Sequence, residues 1–130
     1  MTMTQILDRP SFLRRALLAD ALLSGATALP MIAGADVLSP WLALPAALLR
    51  GAGLVLVPYV AFVLIVATRT AIARPAVVAI IAANVLWAAA SIALLLTGWV
   101  APGMLGYAFV IGQAAVVAVL GELQVMGLRR

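Results

Sequence analysis

The longest stretch of this chain without a charged residue decides what it can fold into. Between Pro75 and Gly121 lie 47 residues with no aspartate, glutamate, lysine or arginine. An α-helix rises about 1.5 Å per residue, so about 20 residues cross the hydrocarbon core of a bilayer. The stretch is too long for one crossing, and turn residues from Thr97 to Gly103 divide it. The sequence therefore predicts two membrane spans here.

The composition extends this conclusion to the whole chain. Of its 130 residues, 67% are hydrophobic and 9% are charged, against about 45–50% and about 25% in an ordinary soluble domain. These values exclude a soluble enzyme, a nucleic-acid-binding protein and a disordered chain. The chain has no cysteine and no histidine, and we find no nucleophile motif, no phosphate-binding glycine loop and no metal-ligand spacing. We expect a protein that is not an enzyme and that holds no cofactor or metal.

Two further apolar stretches precede this run. The stretch from Ala16 to Ala35 has one charged residue, Asp20, and the stretch from Gly51 to Thr68 has none. We predict an all-α integral membrane four-helix bundle, a single domain over 1–130, with spans at approximately 12–35, 45–68, 75–97 and 102–127. A cleavable signal peptide is the alternative for the first span, because it ends in small residues, but Asp20 interrupts its apolar core. We therefore predict that the first span is retained.

The basic residues predict the orientation of the four spans. All eight are arginine, and an even number of spans puts seven of them on one side of the membrane: Arg9, Arg14, Arg15, Arg69, Arg74, Arg129 and Arg130. The opposite side has only two charged residues, Asp36 and Arg50, and its loops near Asp36–Leu44 and Thr97–Pro102 contain Trp41 and Trp99. By the positive-inside rule both termini are cytoplasmic, and tryptophan is typical of the headgroup level. We expect a multi-pass protein of a bacterial inner (plasma) membrane.

The two halves of the chain align with each other. With one residue inserted, the segment after Arg9-Pro10 matches the segment after Arg74-Pro75, so that Asp20 falls on Asn84 and Thr27 on Ser91. Each half crosses the membrane twice, so the repeat would be parallel, with its axis along the membrane normal. Chance similarity between alanine- and leucine-rich helices explains the match equally well.

The polar residues within the spans are the candidate functional site. The insertion of a charged side chain such as that of Asp20 into a membrane is unfavourable in free energy. Because Asp20 lies on a helical stripe of small and polar residues with Ser24 and Thr27, we predict that it faces the bundle interior. Counted from the arginines, Asp20 and Glu122 share a layer in the inner half of the bilayer, and Tyr59 and Asn84 lie slightly deeper. Together with Ser24 of the stripe, these residues form the candidate intramembrane polar site.

This layer has two interpretations. It is a proton or cation site formed by neighbouring carboxyl groups. Alternatively, each carboxylate pairs with an arginine near the membrane boundary: Asp20 with Arg14, Arg15 or Arg74, and Glu122 with Arg69 or Arg129. We expect the second arrangement.

Two other polar residues have structural interpretations. Arg50 lies near Asp36, on the side of the membrane opposite to the other arginines. Three roles are compatible with this position: an interfacial anchor, an ion-pair partner of Asp36, or part of a site that attracts anions. Gln113 lies among small residues on the fourth span, and we expect it to join two helices by hydrogen bonds.

Three segments of the sequence resemble a family. The run Leu44-Pro-Ala-Ala-Leu-Leu-Arg-Gly-Ala-Gly53, the Asn84-x-x-Trp87 pair and Gly106-Tyr-Ala-Phe109 are together similar to small, functionally uncharacterised four-helix membrane proteins of high-GC bacteria. The resemblance implies the fold and no activity. Small multidrug exporters share the length and an acidic residue in the first span, but their essential glutamate belongs to a motif that is not found here.

Two functions are compatible with these observations. The first is a non-enzymatic protein that acts by helix packing in the lipid bilayer, as a homo-oligomer or as an accessory subunit of a membrane complex. The second is a small proton-coupled exporter or carrier that uses Asp20, with an unknown small-molecule substrate. A carboxylate between helices that water can reach favours transport, and one bonded to arginine at a dry interface favours packing.

Overall fold

Five helices form the part of the chain, residues 10–129, that the computed structural model describes. They are α1 (Pro10–Ala33), α2 (Ala35–Leu42), α3 (Ala46–Thr68), α4 (Arg74–Leu96) and α5 (Met104–Arg129). All but α2 are long and apolar enough to cross a membrane, which confirms the predicted four-helix membrane bundle. Arg9 and Arg130 lie outside the described residues. Large apolar side chains such as Leu22, Leu86 and Leu96 cover the outside of the bundle, as expected for a surface solvated by lipid.

The short helix α2 corrects the expectation of an irregular loop from Asp36 to Leu44. The chain bends at Gly34, where an added Cβ would lie 2.9 Å from the carbonyl oxygen of Pro30. It then forms one short helix that ends at Leu42. The next residue, Ala43, caps the helix in the left-handed conformation, and its N–H donates to the carbonyl of Ser39. A helix at this position pairs the backbone groups of the connection internally, because α-helices satisfy their own N–H and C=O groups.

The long helices pack as two hairpins. In the first hairpin α1 packs along α3, and in the second α4 packs along α5. Gly53 of α3 allows close contact with α1, because an added Cβ would lie 3.0 Å from the Cβ of Met31 and 3.2 Å from the carbonyl oxygen of Ala28. Small residues at such positions let membrane helices approach closely.

The two hairpins meet along two seams that differ. At the α1/α5 seam the helices are closely packed, and an added Cβ at Gly127 would lie 3.0 Å from the Cβ of Leu13. At the α3/α4 seam the helices approach each other at only a few positions. A parallel repeat relates α1 to α4 and α3 to α5, so it would make the two seams equivalent. In the structure the two seams are not equivalent, and we call the α3/α4 seam the open seam.

The bundle has two chemically different ends. Arg14 of α1 donates to the carbonyls of Ala67, Arg69 and Thr70 at the end of α3, and Arg74 of α4 donates to the carbonyl of Leu128 at the end of α5, over 2.7 Å. We call this the arginine end. The opposite end, the tryptophan end, contains α2 with the exposed Trp41 and the loop with the exposed Trp99.

Candidate functional site: a polar quartet and the adjoining cavity

The site is centred on Asp20, which α1 places inside the bundle with its side chain fully buried. The stripe that contains it faces inward: Ala16 and Met31 are also buried, and Ser24 and Thr27 are partly buried. The free energy of insertion explains why this stripe faces inward. A carboxylate in the middle of a span is unfavourable by about 2.5–3.5 kcal/mol on insertion scales, so it needs polar partners, which lipid does not provide.

Each of the other three long helices supplies one polar partner to this layer. Tyr59 of α3 donates to Asp20 Oδ2 over 2.6 Å. Asn84 Nδ2 of α4 lies 3.1 Å from the same oxygen, and Gln124 Nε2 of α5 lies 2.7 Å from it. Asn84 and Gln124 are joined directly, over 2.9 Å. These four side chains, Asp20, Tyr59, Asn84 and Gln124, form what we call the polar quartet.

A fifth side chain completes the hydrogen bonding of the carboxyl group. Ser24, one turn further along α1, donates to Asp20 Oδ1 over 3.0 Å. Among the described residues, no buried side-chain nitrogen or oxygen lacks a partner. Hydrogen bonds to a charged group contribute about 1.5–3 kcal/mol each, so four such donors are of the size needed to offset the insertion cost of Asp20. They do so without a cation.

Tyr59 lies between two oxygen acceptors of the quartet. Its single hydroxyl oxygen lies 2.6 Å from Asp20 Oδ2 and 2.9 Å from Asn84 Oδ1. A hydroxyl group has one proton, so Tyr59 donates to one of these two oxygens at a time. Its hydroxyl therefore bridges α1 and α4 within the bundle.

The expectation that Asp20 pairs with an arginine is wrong. Arg14 and Arg74 donate to backbone carbonyls at the ends of helices, and Arg15 is exposed. Helix C-termini have unsatisfied carbonyl groups and a partial negative charge, so they compete for arginine at the membrane boundary. Within residues 10–129 the one ion pair joins Arg50 to Asp36, over 3.2 Å and exposed. This is one of the arrangements predicted for Arg50.

Glu122 does not belong to the site. Its side chain is exposed on the outer face of α5, and it makes no ion pair with the expected Arg69 or Arg129 within the described residues. Gln124, two residues later, is fully buried and takes the place we expected for Glu122. Residues two apart on a helix lie on nearly opposite faces. Depth in the membrane alone does not distinguish Glu122 from Gln124. A signal that could have identified Gln124 is the pair of glycines three residues before and after it, Gly121 and Gly127, which lie on the same buried stripe of α5.

A large cavity of about 250 Å³ adjoins the quartet on its tryptophan-end side. All four long helices line it, and α3 and α4 line it on either side of the open seam. Its walls are mainly apolar, with five polar side chains: Ser24, Thr27, Trp87, Ser91 and Gln113. A smaller cavity of about 120 Å³ follows the same seam past Tyr59 and Asn84. Ser24 lines both cavities, and it is the residue that connects them to Asp20.

A second polar cluster forms the α4/α5 wall of the large cavity. Trp87 Nε1 donates to Gln113 Oε1 over 2.7 Å, and Gln113 Nε2 donates to Ser91 Oγ over 2.9 Å. Gln113 thus joins two helices, as its position among small residues predicts. Its bond to Trp87 could not be predicted, because the spacing of the two residues along the chain forms no recognisable pattern.

The fold and these contacts define the chain as a multi-pass membrane protein with a polar site inside the bundle. Comparisons with protein-family models, with curated proteins and with solved structures gave no match.

Proposed function

We propose that this protein is a small proton-coupled carrier, in which the large cavity binds a mostly apolar solute and Asp20 binds the proton. The observation that carries the proposal is the setting of Asp20: a fully buried carboxyl group, bonded to neutral donors alone, next to a cavity that Ser24 also lines. Acidic residues in such positions mark proton and ion pathways in membrane proteins.

The charge itself supports transport over packing. Three members of the quartet are neutral, and Asn84 occupies the position that aligns with Asp20 in the other half of the chain. An asparagine at both positions would join the helices by hydrogen bonds without the cost of burying a charge. An acidic residue adds one property that packing does not require, which is the ability to release and take up a proton.

The open seam supports the same proposal. A solute that reaches the cavity has to pass between helices, and α3 and α4 are the pair that pack least. The small cavity continues along that seam to Tyr59 and Asn84. The solute space and the proton site are therefore connected through residues that already contact Asp20.

A packing function, as a homo-oligomer or as an accessory subunit, remains the second candidate. The observation in its favour is that the quartet takes one residue from each long helix and leaves no buried polar side chain without a partner among residues 10–129. Such a network joins the bundle whether or not a proton moves.

Proton flux in liposomes separates the two candidates. We would measure the internal pH of proteoliposomes with a trapped dye, under a gradient of small aromatic amines, alcohols or acids. The carrier predicts solute-dependent flux above that of protein-free vesicles, loss of this flux with Asp20→Asn, and its retention with Glu122→Gln, a matched control outside the quartet. Flux that is indifferent to Asp20→Asn would leave the packing function as the account of the quartet.

We also propose that both termini are cytoplasmic and that the membrane is a bacterial inner membrane. Support comes from the arginine end, which gathers Arg14, Arg69 and Arg74 at one side of the bundle. The natural chain has no cysteine, so single cysteines can report accessibility in intact cells. A cysteine at Gly98 should react with an impermeant reagent from outside and one at Thr70 should not. The reverse pattern would overturn the orientation.

A further inference from the structure

The hydrogen-bonding groups of the large cavity indicate what kind of solute it takes. Every side-chain N–H and O–H that lines the cavity is already used within the protein. Ser24 donates to Asp20, Thr27 to the carbonyl of Leu23, and Ser91 to the carbonyl of Trp87. The indole N–H of Trp87 and both amide hydrogens of Gln113 are also engaged. A solute that only accepts hydrogen bonds finds no free donor.

The cavity wall formed by α1 offers acceptors instead. Ser24 Oγ and Thr27 Oγ1 each donate one bond and accept none from residues 10–129, so each keeps lone pairs for a solute. Because the Ser24 proton points to the Asp20 carboxylate, the serine oxygen becomes a stronger acceptor, since hydrogen bonds in a chain polarise one another. This wall therefore suits a group that donates hydrogen bonds.

The charges near the cavity point in the same direction. None of the arginines that the structure describes lines the cavity. The nearest acidic group, Asp20, is one hydrogen bond away through Ser24 and has no cationic partner within residues 10–129. An anionic solute would meet no donor and no cation. A solute with a positive charge would supply the countercharge that Asp20 lacks, and buried charges are favourable when they are paired.

The size of the cavity limits the apolar part of the solute. A cavity of about 150 Å³ accommodates benzene, and this cavity has about 250 Å³. One aromatic ring with a short polar chain fits such a volume. Its walls, lined by leucine, valine and aromatic side chains, suit an apolar ring more than a sugar or a peptide.

We infer that the solute is an amphiphilic amine: an apolar group carrying an ammonium with at least one N–H, held by Ser24 Oγ and Thr27 Oγ1 and balanced by Asp20. The inference rests on the proposed function in that it places the transported solute in the large cavity. It goes further in requiring both a positive charge and a donor hydrogen. An alcohol meets one requirement, a quaternary ammonium the other, and a carboxylate neither.

Equilibrium binding to the full chain in lipid nanodiscs tests these requirements separately. The probes are 2-phenylethylammonium, 2-phenylethanol, phenylethyl-trimethylammonium and 3-phenylpropanoate, measured by titration calorimetry with empty nanodiscs as the blank. We expect the primary ammonium to bind at least about fivefold more tightly than the quaternary one, which lacks the hydrogen bond, and the carboxylate to show no binding. Equal affinity of the two ammonium ions, or carboxylate binding at the same affinity, would overturn the inference.

Variants assign the two requirements to residues. Asp20→Asn keeps the shape of the side chain, so it should weaken the ammonium at least about tenfold and leave the neutral alcohol unchanged. Thr27→Val should reduce the advantage of the primary over the quaternary ammonium. Thr68→Val is the matched control, because Thr68 makes the same bond to the carbonyl four residues earlier but lies at the arginine end. Equal weakening of ammonium and alcohol by Asp20→Asn, or an effect of Thr68→Val equal to that of Thr27→Val, would contradict the assignment.

The binding test can fail independently of the proposed function. Proton flux that depends on Asp20 but is driven by a solute of another class would overturn the amine inference and keep the carrier. The expected order of affinities without any Asp20-dependent flux would keep the ligand class and overturn the carrier.

Discussion

The α1/α5 seam and the α3/α4 seam join the same two hairpins, but only the first is closely packed. At the first, Gly127 lies against Leu13, and Gln124 bonds directly to Asp20. At the second, one hydrogen bond joins Tyr59 to Asn84, and two cavities follow the helices. Protein interiors are otherwise close-packed, so a cavity of this size has to be maintained at a cost in stability. The difference indicates that the first seam holds the bundle together, whereas the second leaves the space in which the proposed carrier would bind its solute.

The largest expected effect comes from removing the carboxyl group that joins the quartet. Asp20→Leu leaves the donors of Ser24, Asn84 and Gln124 facing an apolar side chain, and unsatisfied buried donors cost about 1–3 kcal/mol each. We expect the free energy of unfolding to fall by about 3 kcal/mol or more, measured by denaturation in mixed micelles and circular dichroism. Gln113→Leu, at the cavity wall, is the matched change and should cost about 1 kcal/mol. Equal losses would mean that the two polar clusters contribute alike.

A pair of glycines on α5 tests the packing of the two seams with a single methyl group. Gly127→Ala places a Cβ 3.0–3.1 Å from the Cβ and Cα of Leu13, and overpacking of this kind costs about 1–3 kcal/mol. Gly112 lines the large cavity, and its added Cβ would meet nothing within 4 Å. Gly112→Ala should therefore be neutral, or stabilising by up to about 1 kcal/mol because alanine favours the helix. Destabilisation by Gly112→Ala as large as that by Gly127→Ala would contradict the difference between the seams.

A smaller effect is expected for the hydrogen bond that crosses the open seam. Tyr59→Phe removes the hydroxyl that bridges Asp20 and Asn84, while Ser24 and Gln124 keep their bonds to the carboxyl group. One such bond contributes about 1 kcal/mol to the free energy of unfolding. Tyr107→Phe, at an exposed tyrosine of α5, is the control and should change stability by less than about 0.5 kcal/mol. A Tyr59→Phe protein as stable as this control would show that the bridge does not join the helices.

The sequence was informative where one physical rule dominates. Apolar runs with one charged residue or none predicted the four long helices, and the cost of a buried carboxylate predicted that Asp20 faces inward. Asn84 and Tyr59 could be placed in its layer by counting residues from the arginines. Counting failed for α5, because Glu122 and Gln124 lie at similar depth and differ in the face of the helix they occupy.

Other features depend on tertiary geometry that no local pattern encodes. At the arginine end, Arg14 and Arg74 donate to backbone carbonyls near the ends of neighbouring helices. The spacing of residues in the sequence does not show that these carbonyls compete with Asp20 for the arginines. The cavity depends on how far α3 and α4 separate, and both helices have equally apolar sequences. The helix α2 contains Pro40, which in sequence favours a turn but here lies within the helix.

The central claim of the proposed carrier is that Asp20 exchanges a proton while the quartet stays in place, and infrared difference spectroscopy of the carboxyl C=O stretch tests it most directly. In nanodiscs, the carrier predicts a protonated-carboxyl band that appears when the pH is lowered and disappears reversibly when it is raised. This band should be lost in Asp20→Asn and kept in Glu122→Gln, while the amide bands of the helices do not change. A spectrum in which Asp20→Asn removes no titrating band, or in which acidification of the wild-type protein alters the helix bands together with the carboxyl band, would contradict the claim.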